Sequence, residues 1–179
     1  MKNIIRLCAA ALSTTLFFCA ASSNTASAQA TATASASATI VTPISIAKTA
    51  DMNFGNVAVN TSNNGTVVLA PAGSRTATGG VTLPATVGSP AAASFTVSGE
   101  ANYTYAITLP SSTITLAETS NPSNQMSAGT FTSTPSATGT LSASGSQVLS
   151  VGATLNVAAN QAAGTYTTTQ DFDVTVNYN

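Results

Sequence analysis

Apolar residues recur on every second position in many short runs of this chain, and nowhere convincingly at helical spacing. The last run is the clearest. In Gly164–Asn179, Phe172, Val174, Val176 and Tyr178 alternate with Asp171, Asp173, Thr175 and Asn177. A strand sends successive side chains to opposite faces, so this stretch predicts one half-buried antiparallel strand. Leu149, Val151, Ala153, Leu155 and Val157 make a second such run, and Tyr103, Tyr105, Ile107 and Leu109 a third. Shorter strands are predicted at Val81–Leu83, Ser94–Ser98, Thr113–Leu116 and Met126–Thr132. Ile40, Ile44 and Ile46 alternate near the start, where Pro43 favours an edge or a break. Met52 and Phe54 are expected to face inward, with Gly55 ending their strand. The turn signal at Asn60–Gly65 predicts a hairpin from that strand to Thr66–Leu69, and Pro71–Gly80 reads as a loop or edge crossing. Turns every eight to twelve residues or so between short alternating runs predict an all-β, antiparallel β-sandwich.

The first 28 residues break the pattern. Lys2 and Arg6 precede an apolar stretch, Leu7 to Ala21, and Ala26-Ser27-Ala28 offers a small-residue cleavage site before Gln29. Residues 1–28 therefore read as a secretory signal peptide, the alternative being an N-terminal membrane anchor. Export to the periplasm, the cell surface or the medium is expected, with no membrane insertion after cleavage. Residues 29–39 alternate Ala with Thr or Ser, and read either as a flexible low-complexity leader or as an extended arm. Residues 40–179 are the expected sandwich domain.

Cleavage also removes both cysteines, Cys8 and Cys19, so the exported part has no disulfide and no thiol. The chain has no histidine and no tryptophan. Only Lys48 and Arg75 are positive after residue 28, against Asp51, Glu100, Glu118, Asp171 and Asp173, a formal balance of −3. Phosphate neutralisation needs clustered Lys and Arg, so nucleic acid is not an expected partner. Histidine triads, thiol nucleophiles and His or Cys metal sites are excluded by composition.

Little chemistry remains. Asp171 and Asp173 on one strand face lie about 6.5–7 Å apart, near the separation used by an inverting glycosidase, but a solvated strand face accounts for them better. Asp51, Asn53 and Asn56 offer oxygens to a hard cation, yet only one is a carboxylate, and a satisfied turn is the better reading. Gly79-Gly80 lacks the Lys and the helix of a phosphate loop. Asn60, Asn64 and Asn102 begin glycosylation sequons. Arg75 is expected either to pair with Glu100 or Glu118 or to be simply solvated. No catalytic residue, cofactor or metal is expected, and the protein is not expected to be an enzyme.

The stretches Ala38–Gly55, Arg75–Val81, Gly164–Tyr166 and Val174–Tyr178 together resemble a bacterial secreted family, domain of unknown function 4402. Asn53-Phe-Gly55 and Gly164-Thr-Tyr166 are also similar to elements of the spore coat protein U type of chaperone–usher pilin. That resemblance implies an immunoglobulin-like, pilin-like sandwich left incomplete within one chain. A strand from the next subunit then completes it by β-augmentation. Carried over, Ala30, Ala32, Ala34, Ala36, Ala38 and Ile40 would form the donor arm. Phe172, Val174, Val176 and Tyr178 would line the accepting groove. Partners would be further copies, head to tail, and a periplasmic chaperone holding Tyr178 and the Asn179 carboxylate. The implied role is a structural or adhesive subunit of a surface fibre or coat. The alternatives are a monomeric extracellular binding domain and, remotely, a carbohydrate-active enzyme. Two departures count against the pilin reading: the arm carries small side chains, and the usual pilin disulfide is absent.

Overall fold

The computed structural model describes residues 29–179; the signal-peptide reading of residues 1–28 lies outside them. Thr39–Asn179 forms a compact unit by itself. It contains thirteen strands and, among the described residues, no helix long and apolar enough to cross a membrane. In chain order the strands are β1 (Ser45–Ala50), β2 (Ala58–Val59), β3 (Gly65–Leu69), β4 (Arg75–Gly79), β5 (Val81–Thr82), β6 (Ala93–Ser98) and β7 (Thr104–Thr108). They continue as β8 (Ile114–Glu118), β9 (Gln125–Thr134), β10 (Thr138–Thr140), β11 (Ser146–Val157), β12 (Tyr166–Thr168) and β13 (Thr175–Tyr178).

All pairings are antiparallel, and the fold is an open β-sandwich. The larger sheet, of eight strands, runs β1-β6-β11-β9-β8-β12, with β3 also on β11 and β4 on β3, and is curled into a half-barrel. A three-stranded sheet, β10-β7-β13, and the small pair β2-β5 complete the body.

Strand β11 is the longest, at twelve residues, and every other part of the large sheet is built on it. Its alternation Leu149, Val151, Ala153, Leu155, Val157 turns these side chains inward, each nearly inaccessible. One edge carries β9. The other edge is divided: Ser146–Val151 pair with β6 and Ala153–Val157 with β3. Gly152 stands between them. A side chain there would strike the Leu69 carbonyl and the backbone of Ala70 and Pro71, where the chain leaves β3. Glycine is required because two backbones approach too closely for a Cβ. Opposite this point β9 bulges: Gly152 faces Thr132 while Thr154 faces Gly129, and Thr130 takes φ of 49°.

The interior has two parts. Phe54, Val67, Leu69, Val81, Leu116, Ala128 and the second half of β11 form one. Ala93, Phe95, Val97, Tyr105, Leu141, Val176 and the first half of β11 form the other. Met52 and Phe131 pack against both. Phe131 is the bulge residue after Thr130, and its ring meets Phe172 at 5.1 Å between centroids.

Several expectations need correction. The hairpin into β3 comes from the other side: β3 pairs with β4 through the turn at Pro71–Ser74, and Arg75–Gly79 is a strand, not a loop. Met52 and Phe54 do face inward, but their segment is held only by the isolated bridge Asn53–Ala91. Ile44 and Ile46 pack against the core, whereas Ile40 is 96% exposed. The long final strand divides: Tyr166–Thr168 pair with β8 in the large sheet and Thr175–Tyr178 with β7 in the small one. Asp171–Val174 between them belong to no strand, yet Phe172 and Val174 remain half-buried while Asp171 and Asp173 stay exposed.

Candidate functional site

Two adjoining clefts, of about 710 and 550 Å³, share Met52, Phe54, Leu116 and Thr168 in their walls. The floor of the larger is apolar: Leu116, Met126, Leu155 and Val157. One bank is the segment 52–59, the other 161–168. The smaller cleft continues past Ile46 and Lys48 on the first bank and Asp171–Val174 on the second.

Each bank is fixed by a side chain that reaches backbone carbonyls. On the first, Arg75 Nη1 donates to the carbonyls of Phe54 (2.6 Å) and Asn56 (2.9 Å). Gly55 between them takes φ of +67°, and a Cβ there would crowd Arg75 and the Val87 carbonyl. The Asn53 side chain accepts from the Gly55 N–H at 2.7 Å, and the Asn56 side chain donates to the Thr86 carbonyl at 3.0 Å. Thus Asn53 and Asn56 satisfy their own turn, and Asp51 pairs with Lys48. Arg75 meets neither acid considered for it. The Glu100 carboxylate accepts from the Thr42 N–H and that of Glu118 from the Ser120 N–H.

On the second bank, the Tyr166 hydroxyl donates to the Ala162 carbonyl at 2.8 Å and accepts from the Gln161 amide at 2.9 Å. A tyrosine bonded to backbone four residues upstream is the tyrosine corner of β-sandwich proteins. It folds the 161–165 loop onto the start of β12. The sequence carried the signal in Gly164-Thr-Tyr166, but composition alone could not say what that hydroxyl meets. Nor could it say that the one arginine outside residues 1–28 serves carbonyls and not an acid.

The four residues assigned to an accepting groove are brought to one side but do different work. Phe172 and Val174 line the smaller cleft. Val176 is buried on β13 opposite Ile107. The Tyr178 hydroxyl accepts from the Glu100 N–H (2.6 Å) and donates to the Thr42 carbonyl (2.7 Å), so it holds the chain just after the arm. The Thr42 N–H bond keeps the Glu100 carboxyl below its usual range. Lys48 is raised, first by its hydrogen bond and attraction to Asp51, with Asp171 adding a further negative charge. Asp171 and Asp173 are exposed at the rim of the same cleft. The arm positions Ala30, Ala32, Ala34, Ala36, Ala38 and Ile40 are all exposed and belong to no strand.

The sequon side chains of Asn60 and Asn64 are occupied by backbone N–H groups, of Ser62 and Asn63 for the first and Ala159 for the second. Among the described residues no three His, Cys, Asp or Glu groups gather at a point.

The family described as Domain of unknown function (DUF4402) matches residues 44–178. The chain belongs to the DUF4402 family. The matched span of the DUF4402 domain includes both banks, Arg75 and the tyrosine corner, and begins after the Ala-rich arm. Searches of curated proteins and of solved structures found no match.

Proposed function

We propose that this DUF4402 protein is an exported, non-enzymatic structural or adhesive surface subunit that joins further copies of itself by strand addition. The observation that carries the reading is the cleft: an apolar floor between two backbone banks, one of them the outer edge of an edge strand. An edge strand beside a hydrophobic trough is the surface that β-augmentation uses. The occupant is residues 30–40 of another copy. That segment alternates Ala with Thr or Ser, carries no charge and no proline, and lies outside every strand of its own chain. Its neutral residues suit a floor with no charge to meet. Head-to-tail donation in the manner of spore coat protein U type pilins then gives open-ended polymers. A periplasmic chaperone would hold the same open flank before assembly.

Light scattering on the exported chain tests this. Residues 29–179 are expected to grow in mass with concentration, and a chain beginning at Val41 is expected to stay at one subunit. A monomeric 29–179 chain that binds a small ligand in the cleft would favour a monomeric extracellular binding domain instead.

A further inference from the structure

The two banks are not equivalent as hydrogen-bonding edges. On the first, the Asn53 N–H and carbonyl pair with Ala91, the Asn56 N–H with Val87, and the Gly55 N–H with the Asn53 side chain. Arg75 occupies the carbonyls of Phe54 and Asn56. Nearly every backbone group of this bend is therefore already used within the chain.

The second bank differs. Thr119 N–H donates to the Thr165 carbonyl, and Thr169 N–H donates to the Thr115 carbonyl. These two bonds fix the parity of the β8–β12 ladder, whose register is Tyr166–Glu118, Thr167–Ala117, Thr168–Leu116. In an antiparallel pair, residues on one strand point their N–H and carbonyl alternately toward the partner and away from it. Thr165, Thr167 and Thr169 face β8. Tyr166 and Thr168 then turn theirs outward, and β12 has no strand on that edge. The tyrosine corner holds Tyr166 in place while its backbone stays free.

Resting on the strand-addition reading above, we propose that the incoming segment hydrogen-bonds along one bank only, to the N–H and carbonyl groups of Tyr166 and Thr168. The opposite bank meets it through side chains alone, because Arg75 and residues 87–91 keep its backbone engaged. The partner is the 30–40 segment of a second copy, added to the large sheet as its next strand outside β12.

Thr168→Pro in the exported chain tests this. Proline removes an N–H that points away from β8, so the ladder within the chain is kept, whereas Thr167→Pro would break it. The expected result is an unchanged β circular dichroism spectrum with assembly shifted to at least tenfold higher protein concentration. Assembly at the unaltered concentration overturns the assignment. Because proline can also disturb the fold, amide exchange on the unaltered chain gives the second measurement. On assembly the Tyr166 and Thr168 amides are expected to slow at least tenfold, with that of Phe54 on the first bank unchanged. Protection that grows on the first bank and not on β12 overturns the assignment while leaving strand addition standing. An unaltered chain that never assembles overturns both.

Discussion

Tyr166 and Glu100 show how much a single polar contact decides in a body with so few of them. The Tyr166 hydroxyl joins Ala162 and Gln161 across the loop that begins the second bank. Tyr166→Phe keeps the ring and removes both bonds, a loss of about 0.5–1.5 kcal/mol. Chemical denaturation is expected to show a lower midpoint at an unchanged slope. Glu100 gives the acid response. Its folded pKa lies below the ordinary value, so the contribution is present above that value and lost as pH falls through the depressed one. Acidification through that depressed value is therefore expected to free the Thr42 amide, read as a falling protection factor at Thr42. Near neutral pH the same amide should not respond, since no histidine is present. Gly152 decides through space instead of through a polar contact. Gly152→Ala forces a Cβ into the Leu69 carbonyl, and a loss of about 1–3 kcal/mol is expected from thermal unfolding.

Among elements, alternation found the strands that carry the core. β6, β7 and β11 lie where apolar residues recur at every second position, and burial alternates most cleanly in β6, whereas β8 buries Leu116, Ala117 and Glu118 in succession and β9 buries both Ala128 and Gly129. What it missed are strands with little to bury. In β4, Arg-Thr-Ala-Thr-Gly, only Ala77 packs inward, and β10 is three residues around Gly139. The false hairpin into β3 came from weighing the Asn64-Gly65 turn signal above the partner choice, which local sequence does not contain. The final run teaches a different lesson. Alternating burial persists from Asp171 to Tyr178 although only Thr175–Tyr178 have a ladder partner. An extended chain lying on a core shows period two whether or not it is paired. The pattern therefore reported which side chains are covered and could not report which sheet the segment joins. Phe131 sits where the β9 bulge directs it against both parts of the interior and against Phe172. Phe131→Ala is expected to cost close to the low end of about 3–5 kcal/mol, because the ring is only partly covered.

At the scale of the molecule, sheet pairing and packing carry the stability without covalent help, since neither cysteine lies beyond residue 28. A thiol reductant is expected to leave the melting temperature of residues 29–179 unchanged, and scanning calorimetry with and without reductant checks this. The class of fold was legible because it follows from repeated local patterns. The cleft was not, because it arises from where β12 ends up relative to 52–59, a matter of long-range curvature. Arg75 and Tyr166 were visible as single unusual residues, but their carbonyl partners are set by loops that the sequence shows only as turns. Strand β11 has one last consequence. Leu149 and Val151 belong to one half of the interior and Leu155 and Val157 to the other, on a single unbroken backbone. Neither half can melt while the other keeps its shape, for both lean on the same spine. Heating should therefore give one endotherm whose van't Hoff and calorimetric enthalpies agree, despite an interior that looks divided.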